Sequence, residues 1–482
     1  MGEDTSIPRL SLVSLDPEGA GFGRPLRLML LLGTRPEAVK LAPVALAARE
    51  ASDVEVRLVS SGQHPEAMLE VLHHFGLDVQ ADLRLFHPGQ TPAEVMSAAV
   101  KGFAAEVDAW RPHFVLVQGD TTSALAGALA AFYGRVAVAH VEAGLRSHDL
   151  QRPFPEEMNR RAIDAFADVL FAPTPGAELN LLDEGADGRR IFVTGNTVVD
   201  SLVSALGSPG VPPGIAAAAA TRLNGKGYGR GNEHANSNGN GNENGNANGN
   251  QNGNGNGHPH ASANGNANAP AASHQNGWHG RVLVTAHRRE SWGAGLDEIA
   301  AALDMAARRF PERQFLVPLH PNPLVRRSFG QGFPGNVSIV DPLPYRDFVE
   351  ALASSELVVT DSGGVLEEAT CLGIPTLVVR ERTERPEAVD AGLAAVVGLR
   401  REDIEEAIVS ALRHPGVIPV ALRNCVFGDG RAGLRILSWV RWRAGLAERR
   451  LKAFRPPRQL PGLAAPAGPA PAELDPTFLR RS

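Results

Sequence analysis

Two histidines, four carboxylates and three arginines fall in one stretch, HVEAGLRSHDLQRPFPEEMNR, His140–Arg160. An ordinary surface loop needs no such mixture. Carboxylates that face one small substrate can divide acid and base work, because each environment sets its own protonation state. Glu142 and Glu156 are candidates for that work. Asp120, beyond the apolar run in HFVLVQGDTTS, is a third. Each has a structural reading when taken singly. Glu156 can pair with Arg160 at i,i+4 or favour a helix N-terminus. Asp120, Thr121, Thr122 and Ser123 can each cap the helix that follows. As a set near neighbouring strand ends, the three carboxylates point to proton transfer.

A second group of segments suits a phosphate-bearing ligand. LMLLLGTRPEAVK joins a strand, a glycine turn and a helix, and Arg35 and Lys40 add positive charge to the exposed amides. It is neither the nucleoside-triphosphate loop nor the dinucleotide fingerprint. In LVVTDSGGVLEEATCLG a strand ends in Asp361, Ser362, Gly363 and Gly364 before a helix starts. Small residues there permit close approach to helix amides, and Glu367 or Glu368, one turn in, can reach ribose hydroxyls. RERTERPEAVDAG adds Arg380, Arg382, Glu384 and Arg385 after another buried strand. VTAHRRESWG sets His287, Arg288 and Arg289 after a strand. His287 can donate to a phosphate or leaving-group oxygen there, while the arginines can instead pair with Glu290. His320 and Asn322 follow a strand in LVPLHPNPLV, where prolines preset the backbone; a rigid turn and a nucleotide contact both remain open.

The elements that must hold these residues alternate. Arg27–Leu32, Val54–Ser60, Phe114–Gln118, Val136–Val141 and Val169–Ala172 read as strands. Glu37–Ala48, His64–Phe75 and the run after Pro155 read as helices. A second set of strands starts at Arg281 with RVLVTA and continues through QFLVPL, NVSIV, LVVT and TLVVR. Continuous apolar strands between helices are the mark of parallel sheets, so two α/β domains with a cleft between them are expected. Between the two sets, residues 224–278 are mostly Gly, Asn, Ala, Ser and His. Such a segment cannot bury enough apolar area to offset its backbone entropy and reads as a disordered insertion.

Composition narrows the partners. Of 482 residues 43% are hydrophobic, enough for real cores, and at a net charge of −6 nothing advertises nucleic acid or an anionic membrane as the main partner, though arginine clusters can still bind phosphate locally. No apolar run reaches membrane-spanning length, and the first 24 residues lack a signal-like core. The two cysteines, Cys371 and Cys425, are expected to form neither a disulfide framework nor a metal site, which suggests a reducing compartment.

The segments GTRPEAVK, SSGQH, QGDTTS, HVEAGLRS, PFPEEMNR, TGNTVVD, HRRESWG, HPNP, TDSGGVLEEA, TERPEAV and NCVFGDG occur in this order from about residue 27 to residue 440. In that order the chain resembles the non-hydrolysing UDP-N-acetylglucosamine 2-epimerases. The resemblance implies two Rossmann-like domains facing a cleft, the GT-B fold shared with nucleotide-sugar glycosyltransferases. The first would span 25–200; the second would span 201–223 and 279–423. Helices in 424–455 would cross back to the first domain, with tails at 1–24 and 456–482. It further implies a cytoplasmic homodimer, a UDP-sugar substrate, no metal and no bound nicotinamide or other cofactor.

By position, the resemblance implies that Arg35, His287, His320, Ser362, Gly363, Gly364, Glu368 and Arg385 surround UDP. Lys40, Asp120, Glu142, Glu156 and His287 match positions implicated in chemistry. Gln63 and His64 match a region that binds a second, activating UDP-N-acetylglucosamine. The implied reaction removes the C2 proton as the C1–O bond to UDP breaks, giving a 2-acetamidoglucal to which UDP adds back. Substrates open to this chemistry are UDP-N-acetylglucosamine and modified UDP-sugars; a nucleotide-sugar sensor would bind without turnover. Three positions depart from the family pattern: Leu366 stands where Gln is common, Ser291 where Asn is common and Pro65 where Arg is common. They bear on activation and on the sugar accepted more than on fold.

Overall fold

A computed structural model describes residues 25–63, 65–87, 89–208, 280–288, 291–330, 332–414 and 425–456. The expected tail at 1–24, the insertion at 224–278, His64, Arg289, Glu290 and nearly all of 456–482 lie outside them.

Among the described residues the strands form two parallel sheets. The first has seven strands in the order β3-β2-β1-β4-β5-β6-β7: β1 Leu26–Leu32, β2 Val54–Ser60, β3 Ala81–Asp82, β4 Phe114–Gln118, β5 Ala137–Val141, β6 Val169–Ala172 and β7 Ile191–Val193. The second has six in the order β10-β9-β8-β11-β12-β13: β8 Arg281–Thr285, β9 Gln314–Pro318, β10 Val337–Val340, β11 Leu357–Thr360, β12 Thr376–Val378 and β13 Ala394–Val396. The central strands are mostly apolar because helices cover both faces; all five residues of β4 are buried. Strand order reverses beside β1 and beside β8. In open α/β sheets such switch points leave a crevice at the carboxyl ends of the strands, where ligands bind.

Local chemistry starts the helices where the turns need them to start. Proline occupies the first turn of the helices Arg35–Arg49, Pro92–Trp110, Pro175–Asp183, Pro323–Ser328 and Pro386–Asp390, where a missing N–H costs nothing. Thr121, Thr174, Asn196 and Ser362 cap the helices Thr122–Tyr133, Pro175–Asp183, Thr197–Leu206 and Gly363–Cys371. Thr121 therefore takes the capping role open to its neighbours, and the Asp120 side chain is left for another use.

One apolar core joins elements of both sheets. It includes Leu28 and Leu30 of β1, Val198 and Leu202, Tyr345 and Phe348, Leu366 and Leu372, and Ile436 and Trp439. Leu366 is 1% exposed, so leucine at this position serves packing rather than hydrogen bonding. The last described helix, Ala432–Arg443, packs against Arg35–Arg49. A Cβ on Gly433 would lie 2.7 Å from the carbonyl oxygen of Pro43, so only glycine permits this approach. Asp200 accepts from the amides of Ala432 and Gly433, and Arg441 pairs with Asp53 at 2.6 Å.

One expectation is corrected. Cys371 and Cys425 form a disulfide between the end of the Gly363–Cys371 helix and the start of the final segment. Their 54-residue separation gave no sign of it; folding brings the two Cα atoms to 5.1 Å.

Candidate active site

The turn after β1 is fixed by Glu37. Its Oε2 accepts from the amides of Gly33 at 2.9 Å and Thr34 at 2.7 Å, and its Oε1 accepts from the Thr121 hydroxyl at 2.6 Å. The Thr34–Glu37 spacing is a capping box. Burial raises the Glu37 carboxyl above its usual range despite these donors. One buried carboxyl thus ties the turn after β1 to the turn after β4.

A buried ion cluster lies beyond it. Lys40, one helical turn on from Glu37, donates to Glu142 and lies 3.4 Å from Glu367. Arg385 lies 2.7 Å from Glu367 and 3.6 Å from Glu142. Glu142 also accepts from Gln118 and, at 3.2 Å, from Asn196. Lys40 and Glu142 come from the first sheet, Glu367 and Arg385 from the second, so the cluster joins both halves. Burial opposes the charge on Lys40, but Glu142 and Glu367 outweigh it and hold the ammonium above its ordinary range. Burial likewise opposes charge on Glu367, and Arg385 and Lys40 overcome it, so its carboxyl is held down. Arg385 is raised against burial by Glu367, Glu384 and Glu142.

Asp120 stands beside this cluster. It pairs with Arg160, and its carbonyl accepts from Asn159 at 2.9 Å. The preceding Gly119 has φ +69°, and a Cβ there would sit 3.6 Å from Glu142 Oε2. Glu156 begins the Glu156–Phe166 helix that carries Asn159 and Arg160, and is partly exposed. Beneath the two turns, His140 has Nδ1 2.6 Å from Asp164 and Nε2 2.7 Å from the Gly119 carbonyl. Asp164 also accepts from the Gly144 amide at 3.2 Å and pairs with Arg146 at 2.8 Å.

The second sheet supplies the glycine turn. Ser362 is the N-cap of Gly363–Cys371. A Cβ on Gly363 would lie 2.5 Å from the Arg385 guanidinium, whereas a Cβ on Gly364 would meet nothing within 4 Å. Glu368 is 4% exposed and accepts from the Tyr345 hydroxyl at 3.0 Å. Arg35 reaches toward this region from the first sheet, donating to the Leu343 carbonyl at 3.3 Å.

Asp361, 1% exposed, accepts from the amides of His287 and Arg288, both at 2.7 Å, and lies 3.3 Å from His287 Nδ1. His287 keeps 38% of its side chain exposed and stacks on His320 with centroids 5.8 Å apart. Partial burial lowers the proton affinity of His287 and Asp361 opposes this; Arg288 and Arg35 lower it further.

The structure thus gathers Lys40, Glu142 and Arg385 in one ion cluster, sets Gly363 of the glycine turn against Arg385, and stacks His287 on His320. Gln63 accepts from the Ser123 hydroxyl at 3.1 Å. Glu37, Gln118 and Asn196 stand out only in the structure, and Asp361, named from sequence only as the start of the glycine turn, takes its role from His287 and Arg288. Their partners are distant in the chain, and only the capping-box spacing of Glu37 was visible. Ser291, one of the departures, is fully buried.

Two parallel α/β sheets whose switch points meet around a glycine turn, facing arginines and a carboxylate–lysine cluster form the framework of a nucleotide-sugar enzyme. The model of the UDP-N-acetylglucosamine 2-epimerase family matches residues 46–222 and 260–441. The UDP-N-acetylglucosamine 2-epimerase of Escherichia coli strain K12 is 36% identical over 415 residues, covering 86% of this chain and 97% of that one. That of Yersinia pestis is 35% identical over 419 residues, with 86% and 97% covered. The crystal structure of UDP-GlcNAc 2-epimerase from Neisseria meningitidis bound to UDP-GlcNAc gives a TM-score of 0.71 at 31% identity, covering 86% of this chain and 99% of that one. The chain belongs to the UDP-N-acetylglucosamine 2-epimerase family.

Proposed function

We propose that the protein interconverts UDP-N-acetylglucosamine and UDP-N-acetylmannosamine by elimination and re-addition of UDP. The observation that carries this reading is the Lys40–Glu142–Glu367–Arg385 cluster, which sets protonic groups from one sheet against the glycine turn of the other. The C2 proton is not next to a carbonyl, so simple abstraction is very difficult. Loss of UDP as the proton leaves avoids that barrier and gives a 2-acetamidoglucal. Donors near the diphosphate lower the barrier if they bind it more strongly as charge develops.

In this reading Arg35 and His287 face the departing diphosphate, and the amides of Ser362, Gly363 and Gly364 hold its oxygens. Glu368 takes the ribose hydroxyls, with His320 and Arg385 completing the nucleotide site. Asp120, Glu142 and Glu156 serve the two faces of C2, and Lys40 holds Glu142 in place. Gln63 and His64 belong to the proposed activator region. A cytoplasmic homodimer belongs to the same proposal and rests on the family resemblance. No helix among the described residues is long and apolar enough to cross a membrane.

Proton NMR in heavy water with UDP-N-acetylglucosamine tests the reading. UDP-N-acetylmannosamine bearing deuterium at C2, without free sugar, is the expected product. Free N-acetylmannosamine with UDP would mean a hydrolysing enzyme. No turnover and no exchange by folded protein would overturn the choice of sugar and direct the test to modified UDP-sugars.

A further inference from the structure

Tyr345 opens the Tyr345–Ala353 helix of the second half and is 2% exposed. Its parts touch different elements. Its amide donates to both carboxylate oxygens of Glu70, at 3.1 and 3.2 Å, from the Pro65–His74 helix of the first half. Its ring meets His74 with centroids 6.0 Å apart and Phe75 at 5.9 Å. Its hydroxyl donates to Glu368 Oε1 at 3.0 Å. Arg35 braces the same joint, with its guanidinium 5.9 Å from the Phe348 ring centroid.

A buried tyrosine hydroxyl commonly finds a partner for the sake of the core alone. Here the partner is a carboxylate at the glycine turn, and a carboxylate has acceptor sites for several donors. One hydroxyl on Oε1 fixes the group's orientation and leaves capacity for the neighbouring hydroxyls of a diol. We propose that Tyr345 is a positioning residue of the nucleotide site, aiming the Glu368 carboxylate at the ribose diol of the UDP-sugar. The inference rests on the proposed role of Glu368 in nucleotide binding.

The charge environment shows why this donor matters to function. The Glu368 carboxyl stands at about 7, raised chiefly by burial. The Tyr345 hydroxyl and Arg35 pull it down, Glu367 pushes it up and Lys40 pulls it down. Loss of the hydroxyl removes a lowering interaction, so the carboxyl rises further and is protonated over more of the neutral range. A protonated carboxyl accepts less well from two ribose hydroxyls.

The test is isothermal titration of UDP into wild type, Tyr345→Phe and Glu368→Gln from about pH 6 to about pH 9. Tyr345→Phe keeps the ring packing and the Glu70 bond, and melting curves establish that it is folded. It is expected to bind UDP about tenfold more weakly near neutrality and to recover toward wild type at the alkaline end, its acid limb displaced upward. Glu368→Gln is expected to bind weakly at every pH, without that limb. If Glu368→Gln weakens binding and Tyr345→Phe matches wild type at every pH, Tyr345 is only a core residue and the inference is overturned. If Glu368→Gln itself binds as wild type does, the role given to Glu368 fails, which is a different failure.

Discussion

The Lys40 ammonium lies between two buried carboxylates from opposite halves of the protein, bonded to Glu142 and 3.4 Å from Glu367. Removing one partner of a buried ion pair leaves an uncompensated charge, which costs about 3–5 kcal/mol. Lys40→Met keeps much of the side-chain volume and removes the charge. It should lower stability in urea by about 3 kcal/mol and abolish C2 deuterium exchange. Wild-type stability together with wild-type exchange would show that the ammonium does not hold this cluster.

His140 and Asp164 should govern turnover rather than nucleotide binding. His140 reaches the Gly119 carbonyl, before Asp120, and Asp164 reaches the Gly144 amide, after Glu142. These turns carry unusual backbone: φ is +69° at Gly119, +69° at Glu142 and +86° at Gly144. A non-glycine residue such as Glu142 holds that conformation only when its surroundings enforce it. Asp164→Asn keeps the shape and weakens the bonds to His140 and Arg146. Because small misplacements of reacting groups are costly, kcat should fall about 10- to 100-fold, with UDP affinity nearly unchanged. Equal losses in both would mean a general loosening of the fold.

The two glycines at the start of the Gly363–Cys371 helix predict opposite outcomes for alanine. At Gly363 the added Cβ meets the Arg385 guanidinium at 2.5 Å, so the guanidinium, 2.7 Å from Glu367, must shift. Gly363→Ala should lose both stability and UDP binding. At Gly364 the Cβ meets nothing within 4 Å, and alanine favours the helix by about 0.5–1 kcal/mol. Gly364→Ala should therefore melt no lower than wild type yet bind UDP more weakly, because the methyl group occupies ligand space. Unchanged UDP affinity in Gly364→Ala, read by calorimetry, would move the diphosphate away from this turn.

Much of the fold was legible because parallel strands covered on both faces are continuous apolar runs. Val54–Ser60, Phe114–Gln118, Val169–Ala172 and Leu357–Thr360 coincide with their sequence readings. Edge strands of two or three residues, Ala81–Asp82, Ile191–Val193 and Ala394–Val396, are too short to show a period. The Pro92–Trp110 helix is not among the elements expected from sequence, although Thr91 and Glu94 form a capping box at its start. At the site, motifs singled out residues but not their partners. Asp120 could have been a helix cap; Thr121 took that place, and Asp120 pairs with Arg160, 40 residues away. Glu37, Asp361 and Tyr345 act through contacts that cross the chain, and no local spacing encodes those.

The Cys371–Cys425 disulfide closes a long loop between the glycine-turn helix and the final segment. That segment reaches the carboxylate cluster: the Phe427 carbonyl accepts from the Asn196 amide at 2.6 Å, and the Asn196 side chain donates to Glu142. A cross-link over 54 residues removes much of the freedom of the unfolded chain, so reduction should cost about 2–4 kcal/mol. Urea unfolding with and without dithiothreitol, beside the Cys371→Ala/Cys425→Ala double variant, measures that cost. The reduced protein and the variant should share a lower midpoint, and the variant should no longer respond to reductant. Both cysteines are buried, so reduction should proceed slowly in the folded state and quickly once urea opens the chain. Free thiols at both cysteines in denatured protein that has never met a reductant would show that the bond does not form, and the two midpoints would then coincide with wild type.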